Sequence, residues 1–307
     1  VIVALRALGL GDLLTAVPAL RALRDAHPGA RVAVAAPAPL RPLAALIGCD
    51  LIDAAPLQAL AAEGRDADLL VNLHGRGPQS HRVALAARPR RLIAFAHPAV
   101  AASHGMPAWR PDEHEVARWC RLLDESGIPA DPSRLGLAAP PLPGHLAWTR
   151  GATVVHPGAA SGARRWPAWR FARVAETEAA AGRTVIVTGS AGEQALAAEV
   201  GRRAGLPPAS IIAGDTNIID LAAVVGYAAR VVSGDTGVAH LATALGRPSV
   251  VLFGPTSPHA WGPRIDPALH RVLWAGRTGD PHGARPHDGL LEIQPRDVLT
   301  ELAALPT

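Results

Sequence analysis

A short β-branched run, a glycine-rich or polar turn, then a helix-spaced run of small apolar residues: this unit recurs along the chain and constrains its fold more than any other feature. It opens with "VIVAL" (Val1 to Leu5), a buried-strand pattern, followed by a Gly-rich turn and "LLTAVPALRALRDAHPG". There Leu13, Leu14, Val17, Leu20 and Leu23 recur at helical spacing and Gly29 stops the run. Pro18 is expected to kink that helix or to sit in its first turns. Asp12, between turn and helix, reads first as an N-cap and also as a carboxylate placed at a site mouth to act as a base. "ARVAVAA" and "ADLLVNLHG" read as further strands. Strand and helix in this rhythm imply a parallel sheet covered on both faces.

The pattern breaks at "AAPPLPGHLAWTRG", a Pro/Gly-rich linker, and then restarts. "TVVHPG", "TVIVTGS", "SIIAG", "RVVSG" and "SVVLFGPT" read as strands. "WRFARVAETEAAAG", "EQALAAEVGRRAG", "IIDLAAVVGYA", "VAHLATALG" and "PRDVLTELAAL" read as helices, the last with Pro295 suited to its first turn. The expectation is an α/β chain of two Rossmann-like doubly wound domains, 1–146 and 147–307, facing each other across a cleft. Ligands bind such sheets beyond the carboxyl ends of the strands.

Composition narrows the function classes. All 30 basic residues are Arg, with no Lys, giving a net charge of +4 and a pI near 10.2. The densest basic run, "ARPRR" (Ala87 to Arg91), is too short and too poor in aromatics for a nucleic-acid tract, so no nucleic acid is expected. A modest basic excess suits an anionic small molecule. Cys49 and Cys120 alone exclude a disulfide framework and a Cys-based zinc site and fit a reducing cytoplasm. No run approaches the roughly 18 apolar residues of a membrane span, so no integral membrane segment is expected. The first residues lack signal-peptide features and a Met, so the numbering is expected to start inside a longer chain.

The turns carry the chemistry. "LGLGDLL" offers Gly9 and Gly11 but has Leu14 where a dinucleotide fingerprint needs its third glycine, and "VAVAA" lacks the ribose-binding acid. A dinucleotide oxidoreductase is therefore disfavoured. In "HPGAASGARRWP", glycines admit a ligand to the backbone, Arg164 and Arg165 offer fork-shaped cations for phosphate, and Trp166 anchors the loop. In "TGSAGEQ", Glu193 opens a helix or accepts bonds from a ribose. In "GDTN", Thr216 and Asn217 are candidate helix caps. "GDTGVAH" carries the Asp-Thr-Gly of an aspartic protease, but once only and in an α/β chain, whereas such a protease needs two on β-rich lobes. A helix starting near Thr236 instead presents free N–H groups to a diphosphate. His240, one turn on, is either packed or in contact with that ligand. No metal is expected: "DEHE" (Asp112 to Glu115) more simply caps a helix, and His282 and His287 lack partners in ligand spacing.

Four blocks in order resemble glycosyltransferase family 9, the ADP-heptose:lipopolysaccharide heptosyltransferases. They are "RALGLGDLLTAVPALRALRDAHPGARV", "HPGAASGARRWPAWRFARV", "VTGSAGE" and "AGDTNIIDLAAVVGYAARVVSGDTGVAHLATALGRPSVVLFGPTSPHAWGP". The resemblance implies a GT-B fold and an inverting, metal-independent transfer of a heptose or related sugar, with no cofactor. The ADP-sugar donor would bind the C-terminal domain and a glycan, lipid-linked or small-molecule acceptor the N-terminal one. It implies Asp12 as the catalytic base and Arg164 as the cation on the leaving diphosphate. Arg165, Glu193, Thr216, Asp235, Thr236, Gly237 and His240 would be donor-binding, and Arg6, Gly11, His74 and Arg76 would lie on the acceptor side. A monomer in the cytoplasm, or peripheral at the inner face of the membrane, is the matching expectation. Two positions depart from the family: Arg164 stands where it usually has Lys, and Gly9 where it often has Ser. The alternatives are a GT-B enzyme for another nucleotide sugar, including an epimerase, and a non-catalytic sugar-nucleotide binder.

Overall fold

The computed structural model describes residues 1–306. The chain divides into two compact units, Val1–Leu135 and Gly136–Thr307. This division precedes the 146/147 boundary expected from the sequence. The Pro/Gly-rich stretch is tied to the second unit at its start, where Leu137 N donates to Ala244 O at 2.6 Å.

The first unit holds a five-stranded parallel sheet of β1 (Ile2–Leu5), β2 (Val32–Ala36), β3 (Asp50–Asp53), β4 (Leu69–Asn72) and β5 (Arg91–Ile93), in the order β3-β2-β1-β4-β5. β1, β2 and β4 are buried along their whole length, as their unbroken apolar runs require. The second unit repeats the architecture with β6 (Thr153–His156), β7 (Val185–Val187), β8 (Arg230–Gly234), β9 (Ser249–Phe253) and β10 (His270–Trp274), in the order β10-β9-β8-β6-β7. In each sheet the strand order reverses at one place, between β1 and β4 and between β6 and β8. In doubly wound sheets the crevice at the carboxyl ends of the strands flanking such a reversal is where ligands bind.

Several local expectations change. The first long helix is two, Leu10–Thr15 and Val17–Ala26, with Pro18 in the first turn of the second, where its missing N–H costs no bond. Gly9, not Asp12, is the N-cap of Leu10–Thr15, and no side chain caps that helix. "SIIAG" makes only an isolated bridge, Val187 to Ile211, and leaves the sheet at Gly214, whose φ of 82° suits glycine. Asn217 caps the helix Ile218–Gly226, accepting from Ile219 N and Asp220 N; Thr216 stands just before it. His114 caps the helix Glu115–Asp124, as its "DEHE" context suggests.

A buried ion cluster fastens the helix Ala168–Ala180 to the start of β6. Glu178, 2% exposed, accepts from Thr153 Oγ1 at 2.7 Å and from Arg183 Nε and Nη2 at 2.8 and 2.6 Å. Burial alone would raise its pKa, but the bonds from Arg183 and Thr153 outweigh burial and hold it below the usual range. Glu178→Ala is expected to cost about 1–2 kcal/mol at pH 7, from the lost charge-assisted bonds, because Arg183 is 38% exposed and can turn to water. That contribution is complete above the unfolded carboxyl pKa of about 4.3 and is lost as pH falls through the lower folded value. Urea unfolding of both proteins should therefore show a stability gap at pH 7 that narrows below about pH 4.

Candidate functional site

In the first unit the residues at the strand-order reversal converge on Arg6. This side chain follows β1, is 1% exposed, and must therefore find both counter-charge and acceptors inside the protein. Its Nε donates to Asp12 O at 3.0 Å, its Nη1 to Leu73 O after β4, and its Nη2 to Asp12 Oδ1 at 3.2 Å, Thr15 Oγ1 at 3.1 Å and Glu115 Oε1 at 2.9 Å. One guanidinium thus joins the ends of β1 and β4, the helix Leu10–Thr15 and the helix Glu115–Asp124. Asp12 is the third residue of its helix and its side chain is 29% exposed, so it meets Arg6 on one side and solvent on the other. A Cβ added at Gly9 would lie 3.7 Å from Asp12 Oδ2, so the carboxylate leans over residue 9.

His74 lies beyond β4, its backbone N donating to Asn72 Oδ1 at 3.1 Å. Its Nδ1 is buried without a hydrogen-bond partner. Burial, aided by the charge of Arg6 and opposed by Asp12, holds its pKa below the ordinary histidine value. Arg6, Asp12 and His74 are thus brought together. Gly11 sits half-buried in the helix, and Arg76 is exposed on the following turn. Glu115 and Arg118 complete the network beneath Arg6: Glu115 enters the sequence reading only as the end of the capping "DEHE", Arg118 does not enter it, and their i, i+3 spacing on a helix whose other face is apolar is the signal available for both.

In the second unit the loop after β6 meets the turn after β8. Trp166, 1% exposed, anchors that loop: its Nε1 donates to Ile293 O at 3.0 Å and its ring meets Phe171 edge-on at 5.0 Å. Arg164 Nη1 stands 3.8 Å from Asp235 Oδ2, and Arg164 Nε is buried without a partner. Asp235 itself is buried. Arg165 turns back on its own loop, with Nε donating to Ala159 O at 3.0 Å. Thr236 precedes the helix Gly237–Ala244 in extended conformation and makes no side-chain cap; its carbonyl accepts from Ala239 N at 3.0 Å, and the N–H groups ahead of Ala239 stand before the first intrahelical bond. His240 rests against Trp261, ring centroids 5.9 Å apart.

Glu193 is engaged within its own turn, its Oε2 accepting from Ser190 N and Oγ at 2.8 Å each. It also reaches the β6 loop: a Cβ added at Gly158 would fall 2.1 Å from Glu193 Oε1, so a side chain there would displace the Glu193 carboxylate. His156 ends β6, bonded to Thr188 Oγ1 at 3.0 Å, and burial, opposed by Glu193, pushes its pKa down to about 4. Gly162 gives a second close approach, where an added Cβ would clash with Ala284 O at 1.8 Å. Ala163 N donates to Gly283 O, and His287 N to Ala163 O, so the His282–His287 loop serves as a backing for the Arg164 turn. His287 caps the helix Asp288–Glu292. Among the described residues no group of three His, Cys, Asp or Glu side chains could hold a metal ion, and no helix is long and apolar enough to cross a membrane.

Two doubly wound parallel sheets of this kind in one chain form the GT-B fold of glycosyltransferases. The chain belongs to glycosyltransferase family 9 (heptosyltransferase), whose model matches residues 86–275. It is 34% identical over 160 residues to lipooligosaccharide heptosyltransferase 2 of Haemophilus influenzae, a match that spans 48% of this chain and 45% of that relative, less than half of either. In fold it is similar to the E. coli ADP-heptose LPS heptosyltransferase II, with 23% identity, a TM-score of 0.75 and coverage of 99% of this chain and 97% of that one. It is likewise similar to the E. coli heptosyltransferase WaaC with ADP, with 16% identity, a TM-score of 0.74 and 98% of each chain covered.

Proposed function

We propose that this glycosyltransferase moves a heptose from ADP-heptose to a hydroxyl of a lipooligosaccharide-core type acceptor, with inversion and without a metal ion. The observation that carries the proposal is the placement of complementary groups at both strand-order reversals: a part-exposed carboxylate, Asp12, in the first unit, and a cation beside a helix N-terminus, Arg164 with Thr236–Val238, in the second. The first unit takes the acceptor, with Arg6, Gly11, His74 and Arg76 on that side. The second takes the donor, with Asp235, Thr236, Gly237 and His240 around the diphosphate and sugar, Glu193 toward the ribose and Thr216 toward the base. Arg165 serves this site through its loop.

In the reaction, Asp12 accepts the proton of the attacking hydroxyl as its oxygen bonds to the anomeric carbon. The bond from that carbon to the diphosphate oxygen breaks, and its electron pair leaves with ADP. Arg164 and the N–H groups of Thr236 to Val238 stabilise the charge that develops there. The chain acts as a monomer in the cytoplasm, or at the inner face of the membrane. Titration calorimetry with ADP, GDP and UDP tests the donor: ADP should bind at least about tenfold more tightly than either, a difference of about 1.4 kcal/mol. Equal binding of all three, or preference for GDP or UDP, overturns the donor assignment.

A further inference from the structure

Glu115 begins the helix Glu115–Asp124 and is 109 positions from Arg6 in sequence, yet it is 5% exposed and bonded to it. Its Oε1 accepts from Arg6 Nη2 at 2.9 Å and from Trp119 Nε1 at 3.0 Å, while its Oε2 accepts from Arg118 Nη1. The indole of Trp119 also lies under Arg6, 4.8 Å from the guanidinium carbon, and Arg118 lies over Trp109 at 4.2 Å. Two cations, Arg6 and Arg118, therefore face two carboxylates, Glu115 and Asp12, and the cluster is neutral overall. Buried ions persist only under such pairing.

The division of Arg6 between the two carboxylates has a chemical consequence. Arginine and carboxylate frequently close on each other with two parallel bonds, but Arg6 Nε and Nη1 are held by Asp12 O and Leu73 O, which leaves Nη2 for the carboxylates. A carboxylate held by two parallel bonds has both oxygens committed and is a poor proton acceptor. Here Arg6 touches Asp12 through Oδ1 alone, at 3.2 Å, and its shorter bond goes to Glu115. Asp12 Oδ2 points toward Gly9, where no side chain stands. The other groups around Asp12 are Thr15, whose Oγ1 donates to Asp12 O at 2.9 Å, and His74.

We infer that Glu115 is a positioning residue for transfer: it holds the one Arg6 nitrogen, Nη2, that reaches the Asp12 side chain, so that this contact stays the longer of the two and Asp12 Oδ2 stays open to the acceptor hydroxyl. This rests on Asp12 being the base. Glu115→Gln alone would turn an amide N–H toward Arg118, so the informative variant is Glu115→Gln with Arg118→Met, which keeps the cluster neutral. Trp119→Phe, which removes the indole bond to Glu115 and shrinks the ring beneath Arg6, is the milder companion. Transfer from ADP-heptose to deacylated lipooligosaccharide core would be followed across pH, with folding checked by near-ultraviolet circular dichroism.

In the folded double variant kcat should fall about 10- to 100-fold, the scale of a misplaced catalytic group, with donor KM within about twofold of wild type. The acid limb of the kcat profile should move to lower pH, because Arg6 then acts on Asp12 undivided. Trp119→Phe should show a smaller loss and a limb displaced in the same direction, and it decides the matter if the double variant does not fold. Wild-type kcat with an unmoved limb, or a loss of kcat with an unmoved limb, overturns the inference. Asp12→Asn run in parallel separates the two levels. If that variant turns over normally, the base assignment fails and this inference with it; if it is inactive while the Glu115 variant behaves as wild type, only this inference fails.

Discussion

Asp12→Asn is expected to lower kcat by about 10²- to 10⁴-fold, the range of a lost general base, while ADP binds with unchanged affinity. The substitution is close to isosteric, and the amide can still accept from Arg6 through its oxygen, so the first unit should stay folded. What it removes is the ability to take a proton. Asp12 suits that task by its surroundings: the cation beside it is buried and shared, and its own side chain is 29% exposed. Because the donor is proposed to bind the second unit and Asp12 lies in the first, donor affinity should not register the change. A variant with near-normal turnover, or one that loses ADP binding along with activity, contradicts the assignment.

The second large effect is expected at Arg164. Arg164→Ala should reduce kcat about 10²- to 10³-fold, as when one stabilising donor is removed from developing negative charge, with a smaller change in donor KM. Its loop is held by the buried Trp166 and by the exchange of backbone bonds between Ala163 and the 283–287 segment, so truncation should leave the turn in place. Arg164→Lys should recover part of the loss, since charge returns but the fork does not. The pairing with Asp235 is long at 3.8 Å, which leaves the guanidinium able to turn to a diphosphate. Equal kinetics for Arg164→Ala and wild type, read by ADP release, would remove it from the site.

Much of this arrangement can be read from the residues. β1, β2 and β7 are uniform apolar runs, and β4, β6, β8 and β9 carry an apolar centre with polar residues at one or both ends, because parallel strands are buried on both faces. The strands that escape notice are those at edges or with charged ends. β3 is flanked by Asp50 and Asp53, β5 has three residues, and β10 mixes His270 and Arg271 with apolar neighbours. Asp12, Arg164 and Asp235 stand out because chemistry-bearing residues at strand ends are visible locally. The Arg6–Glu115 bond is not, since it joins positions 109 apart and depends on a sheet order that periodicity does not encode. Nor does spacing distinguish an N-cap from a first-turn carboxylate, which is how Asp12 gives up the cap to Gly9.

The most direct test of the account is the stereochemistry and stoichiometry of the product. Wild-type protein and Asp12→Asn would each be incubated with ADP-heptose and deacylated lipooligosaccharide core in the presence of a chelator, and the product examined by mass spectrometry and NMR. The account predicts one heptosyl residue on the acceptor for each ADP released, an anomeric configuration opposite to that of the donor, and product formed at least about 10²-fold more slowly by Asp12→Asn. Retained configuration, loss of transfer on chelation, or equal product from both proteins would contradict it.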